Sequence, residues 1–173
     1  MQRFRTLVDT HRDRVFSLAC YLLNDRVAAE DVTQEVLLRM WQNRATLDYG
    51  RIGSWLTRVT RNACIDVHRR RAVVNRAMDV NTEGLQYQLA ETDQVAPDEA
   101  LEALEFQEQL RQAISELPEP HRSIVVSREI NEMKYDEIAE ALELPLNTVK
   151  VYLHRARKML RDKLRNRLDY VSG

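Results

Sequence analysis

Glycine and proline are scarce in this chain of 173 residues, with four of each, and aromatic side chains make up only 6%. So little turn and sheet material, beside abundant Leu, Ala, Arg and Glu in long patterns of 3.6-residue period, points to an all-α protein. Long apolar runs are also missing. No segment approaches the roughly 18 uninterrupted apolar residues of a membrane span, and the opening MQRFRTLVDTHRDRVF lacks a signal-peptide core, so a cytoplasmic location is expected. The two cysteines, Cys20 and Cys64, lie far apart in sequence and form no CxxC or Cys/His cluster, which favours reduced thiols over zinc or redox chemistry. His11, His68, His121 and His154 are dispersed, with no metal-spaced partner or paired nucleophile. Neither an enzyme nor a metal or cofactor is expected.

One kind of charge is absent from one place. Between Arg76 and Arg111 there is no Lys, Arg or His, while nine carboxylates from Asp79 to Glu108 crowd the interval. The net charge of −1 therefore conceals an acidic insert between two basic flanks, a pattern suited to separate partners on separate surfaces.

Three stretches carry the organisation. The last is the most telling: Tyr135, Ile138, Ala139 and Leu142 line one helix face, and Val149, Leu153, Ala156 and Leu160 line a second. Pro145 forbids a continuous helix between them, and Asn147 is the expected N-cap of the second. Lys150, His154, Arg157, Lys158, Arg161 and Arg165 segregate away from that apolar stripe, as on a helix presented to duplex DNA.

Earlier in the chain, a helix from about Val27 to Arg44 buries Ala29, Val36 and Met40 and projects Asp31, Gln34, Glu35 and Leu38 from its other side. An acidic strip enclosing a leucine suits docking against a basic helical partner, while taken alone it reads more readily as an ordinary solvated helix face. After a loop from Ala45 to Gly53, Ser54 is the expected cap of a third helix with the stripe Ile52, Leu56, Val59, Ala63 and Val67. Its second face gathers Arg58, Arg61, Asn62, Ile65, His68 and Arg69, with Tyr49 and Trp55 at the entrance, a combination that single-stranded nucleic acid uses. Trp55 is equally suited to core packing.

These features divide the chain into a helical domain at 1–75, an acidic flexible linker at 76–97 and a second helical domain at 98–173. Each block, at about 65 to 75 residues, is close to the lower limit for a self-sufficient core.

In combination the motifs resemble a bacterial sigma factor of the extracytoplasmic-function class. AAEDVTQEVLLRMW resembles the region-two helix that binds the clamp helices of RNA polymerase, which implies core docking by Asp31, Gln34, Glu35 and Leu38. SWLTRVTRNACIDVHRRR resembles the helix that reads the melted minus-ten element. The resemblance implies base contacts at Asn62 and Asp66, strand contacts at Arg58, Arg61, Arg69 and Arg70, and a pocket for an extruded base near Leu47 to Arg51. LPEPHRSIVVSREINEMKYDEIAEALELPLNTVKVYLHRAR resembles region four, whose second helix enters the major groove of the minus-thirty-five element. Lys150, Val151, His154 and Arg155 then face bases, and Arg157 and Lys158 meet phosphates.

The implied partners are core RNA polymerase, promoter DNA and an anti-sigma factor; the acidic linker matches a connector threaded through the RNA channel. A stand-alone duplex-binding regulator is the alternative, and it leaves Asp31, Gln34, Glu35 and Asn62 unexplained. Several positions depart from the family pattern. Glu132 and Glu143 replace common glycines, Asn147 another, Lys134 replaces a capping Ser, and Val151-Tyr152 stands where Ser-Arg is usual.

Overall fold

A computed structural model describes residues 2–78 and 98–171. The linker expected at 76–97 lies, from residue 79 onward, outside the described residues; 76–78 continue the third helix. Helices α1 (Gln2–Leu23), α2 (Arg26–Gln42) and α3 (Ile52–Met78) form the first block, with a short 3-10 turn at Tyr49–Arg51 leading into α3. The second block contains α4 (Asp98–Ser115), α5 (His121–Val125), a π-helical turn (Val126–Ile130), α6 (Tyr135–Leu142) and α7 (Leu146–Val171). No strand occurs among the described residues.

α1 runs unbroken through His11. Val15, Leu18, Ala19 and Leu22 on its inner face are all buried, packed with Ala29, Val32, Val36 and Met40 of α2 and Leu56 and Ala63 of α3. In the second block Ile114, Leu117, Ile124, Met133, Ile138, Val149, Leu153 and Ala156 close a comparable interior. Removing any of the larger of these side chains would cost about 2–5 kcal/mol, since neighbours collapse only partly into the space.

The two interiors are continuous as one apolar cluster, with α6 lying on α3 and both α4 and the π turn touching α1. Polar groups knit the seam. Asn131 accepts at its carbonyl from Arg14 (Nη2, 3.2 Å), accepts at Oδ1 from Ser17 Oγ (2.9 Å), and donates through Nδ2 to the Arg14 carbonyl (3.1 Å). Arg122 donates to the carbonyls of Leu117 and Leu22, and His68 Nε2 donates to the same Leu22 oxygen at 2.9 Å. These donors satisfy helix-end carbonyls that would otherwise be orphaned on burial.

Two helix starts differ from expectation. Ser54 does not cap α3, which begins earlier because Asp48 Oδ1 accepts from the Gly50 N–H (2.9 Å) and organises the preceding turn. Asn147 does not cap α7, since the Val149 N–H already donates to the Pro145 carbonyl (3.1 Å), placing Asn147 inside the first turn. Proline is suited to that threshold because it has no N–H to leave unpaired.

Candidate nucleic-acid interface and docking surface

The first surface is built on α2. Its N-cap Asp25 accepts from the Ala28 N–H (3.0 Å) and from Arg71 Nη2 at the far end of α3 (2.6 Å). Burial opposes ionisation of Asp25, yet the Ala28 N–H and the Arg71 guanidinium hold its carboxyl below the usual 3.8. This double tie fixes the rotation of α2. Ala29, Val32, Val36 and Met40 consequently face inward, and Asp31, Gln34 and Leu38 face solvent, Leu38 at 55% exposure. Glu35 is half-buried beside them and paired with Arg39 one turn on, an exchangeable contact worth no more than about 0.5 kcal/mol. All four residues expected in the strip therefore share one side of α2.

The α3 face is split by the fold. Asn62, Asp66, Arg69 and Arg70 are exposed, whereas Arg58 and Arg61 are half-covered by the second block. Arg58 donates to the Glu140 carbonyl (Nη2, 2.7 Å) and the Ala141 carbonyl (Nε, 3.4 Å), capping the C-terminus of α6, and Arg61 Nε meets Glu119 Oε2 at 3.4 Å. Beside them Ser54 Oγ donates to the Glu137 carbonyl (3.1 Å) and Thr57 Oγ1 reaches Met133 Sδ (3.2 Å). Ser54 and Thr57 are thus buried on a side of α3 that polarity alone marks as exposed, and Gly53 is buried where a Cβ would meet Arg14 of α1. The small residues at helical spacing were the available signal for a close neighbour there. Glu119, Glu140, Asn131 and Met133, which occupy that neighbour, carry no mark in the sequence.

The loop before α3 forms a pocket of about 240 Å³ lined by Leu47, Asp48, Arg51, Trp55 and Arg58, where an extruded base was expected, and Glu140 of α6 stands at its rim. Arg51 Nη1 contacts Glu140 Oε1 at 3.2 Å. Glu143 also lies within 3.7 Å of Arg58, so carboxylates of the second block stand against each of the three arginines, Arg51, Arg58 and Arg61.

The third surface is the α6–α7 pair. Glu143 adopts φ 56° and ψ 42°, and its N–H and that of Leu144 close onto the carbonyls of Ala139 and Glu140. Glu132 likewise has φ 54°. Both are left-handed positions where glycine avoids a Cβ clash, which explains the glycines usual there and implies local strain in this chain. At the start of α6 only half a capping box exists: the Glu137 carboxylate accepts from the Lys134 N–H (2.8 Å), and the Lys134 ammonium has no lone pair to return the bond.

On α7 the apolar positions Val149, Leu153 and Ala156 are buried, and Lys150, Val151, His154, Arg155 and Lys158 are exposed together on the outside. Arg157 is exposed as well but donates Nε to Glu129 (2.7 Å), and that bond raises its pKa further. A phosphate would have to displace Glu129 to use it. Tyr152 turns inward and meets the His121 ring edge-on, centroids 4.7 Å apart. His121 has no hydrogen-bond partner at either ring nitrogen, and burial, with the Arg155 charge second, holds its pKa below 6.5.

Burial pushes the Cys64 thiol up to about 12 and raises that of half-buried Cys20, so neither is an activated nucleophile. No group of His, Cys, Asp and Glu among the described residues is arranged to hold a metal, and no helix among them is long and apolar enough to cross a membrane.

Comparison with known proteins matches this geometry. The sigma-70 region 2 family profile matches residues 7–73, and the sigma-70 region 4 profile matches residues 107–160. The chain is 34% identical over 167 residues to the ECF RNA polymerase sigma factor SigW of Bacillus subtilis (strain 168), covering 94% of this chain and 89% of that one. It is 34% identical over 159 residues to the ECF sigma factor SigL of Mycobacterium tuberculosis (strain ATCC 25618 / H37Rv), covering 91% and 86%. In fold it is similar to the sigma factor RpoE of Bartonella quintana, solved in complex with the anti-sigma factor NepR, with TM-score 0.78, 19% identity and coverage of 95% and 98%. With region 2 spanning α1 to α3 and region 4 reaching from α4 into α7, the chain belongs to the ECF RNA polymerase sigma factors.

Proposed function

We propose that this chain confers promoter specificity on core RNA polymerase without chemistry of its own, acting in the cytoplasm. In this reading Asp31, Gln34, Glu35 and Leu38 dock on the polymerase, α3 captures the melted minus-ten strand, and α7 reads the minus-thirty-five duplex. Residues 1–75 and 98–173 are the two functional blocks, joined by the acidic connector at 76–97. An anti-sigma factor, the class of partner bound by the similarly folded RpoE of Bartonella quintana, is the proposed antagonist.

The observation that carries this reading is the α2 strip. A helix whose other side is fully committed to the core presents two free polar groups, an exchangeable carboxylate and an exposed leucine on one side, a surface for which a regulator binding duplex DNA alone has no use. The charges steer and the leucine packs.

The minus-ten assignment carries a mechanical requirement. Arg58 and Arg61 cannot hold a strand while they hold α6 and Glu119, so region four must leave that face before strand capture. Phosphates and bases then replace the carbonyls and carboxylates that α6 and its neighbours supply in the closed form.

Run-off transcription with purified core enzyme on a promoter library tests the reading. Core-dependent initiation from a subset of promoters is expected, and its absence from every sequence would refute it. Replacing Asp31 and Glu35 together by Lys is expected to lower core affinity at least a hundredfold with the helical content unchanged; undiminished affinity would remove the docking assignment.

A further inference from the structure

The outer face of α7 holds an apolar side chain in a field of donors. Val151 is 48% exposed, and its neighbours one turn away, Asn147, His154 and Arg155, are exposed with Lys150 beside it. Tyr152, the next residue, is withdrawn onto His121 and takes no part in that face. The only other exposed large apolar side chain in the described part of α7 is Leu146, in the first turn and rotated away from Val151 around the helix.

An isopropyl group gains nothing from phosphates or from the hydrogen-bonding edges of bases. Among the groups displayed in the major groove, one is apolar: the 5-methyl of thymine. A β-branched residue in a helix is also held in one dominant rotamer, so its methyls occupy fixed positions relative to the flanking donors.

Resting on the reading that α7 enters the major groove, we propose that Val151 is a specificity determinant of this chain that reads the 5-methyl group of a thymine in the minus-thirty-five element. Lys150, His154 and Arg155 then supply polar contacts around it, and discrimination at that base pair comes from apolar contact rather than from a hydrogen bond. The isopropyl group leaves water against the methyl and packs there, a gain lost when either partner is shortened.

The test uses holoenzyme reconstituted from the full chain and core polymerase. Minus-thirty-five duplexes are first selected from random sequence, and each thymine of the selected element is then replaced in turn by uracil, which removes only the methyl. At one position the substitution should weaken binding about fourfold, the size expected for one methyl-sized apolar contact. Val151→Ala should show a similar loss on the unmodified duplex and no further loss with uracil at that position, because the two changes remove the same contact.

A uracil penalty that persists in Val151→Ala, or that disappears in Leu146→Ala instead, would overturn the assignment. So would a selected element in which no thymine responds. A holoenzyme that initiates but selects no minus-thirty-five sequence would overturn the major-groove reading of α7 along with it, whereas selection without methyl coupling removes only the role of Val151.

Discussion

The two proposed DNA faces of this protein are built from similar side chains and stand in opposite states. On α7 the cations are presented to solvent, with one arginine lightly held by Glu129. On α3 the arginines nearest the pocket of the preceding loop are engaged by the other half of the chain, Arg58 by two carbonyls and Arg61 by a carboxylate. The difference teaches that an arginine face has no single state. A guanidinium donates to the carbonyls at a helix C-terminus as it can to a phosphate, so the chain itself occupies part of the proposed strand-binding surface.

The largest test of that contrast breaks the seam without touching a proposed DNA contact. Thr57→Asp would place a carboxylate in a buried position against Met133, where an unpaired charge costs several kcal/mol. The expected result is separation of the two blocks, seen as a larger radius in solution scattering, with at least tenfold tighter binding of a single-stranded minus-ten oligonucleotide. Unchanged dimensions and unchanged strand affinity would mean that the seam does not control the α3 face.

A gentler change removes only charge. Glu119→Gln together with Glu140→Gln should raise single-strand affinity several-fold at low salt, and the gain should fade as salt screens these partly exposed pairs. Duplex binding through α7 should not change. If both faces responded equally, the asymmetry would be one of total charge and not of local occupancy.

The smallest effect concerns the ring pair packed beneath the open face. His121 has its pKa lowered in the folded protein, so the unfolded chain binds more protons as the pH falls through 6.5, and stability is present above that value and declines below it. The melting temperature of the second block should accordingly fall between neutral pH and pH 5, and His121→Phe should flatten that dependence while keeping the ring contact with Tyr152. A slope unaltered by His121→Phe would assign it to other groups.

Much of the fold was legible in the chain. The stripes from Ala29 to Met40 and from Val149 to Ala156 are buried as their spacing predicts, because a helix face is defined within a few residues. The strip from Asp31 to Leu38 and the outward Lys150, His154, Arg157 and Lys158 followed from the same rule, whereas Val151 and Arg155 joined that set through the family resemblance. Helix starts were less legible. Ser54 and Asn147 have capping chemistry, but Asp48 and Pro145 precede them and fix the first turn earlier. Glu132 and Glu143 give no sign by residue type of the left-handed backbone they adopt; only the glycines usual at those places hint at it.

What the sequence determined by itself, then, was the set of helices, the side each one buries and the chemistry of the sides left over, since all of these are local. Tertiary structure alone decided which leftover sides remain open. Arg58 and Glu140 are separated by 82 residues, and nothing near either one states that α6 will end on α3. That pairing depends on Ser54 and Thr57 being small enough for close approach and on carbonyls at the end of α6 that need a donor, and only their meeting in space makes Arg58 a helix cap, a role it would give up to hold the proposed DNA strand.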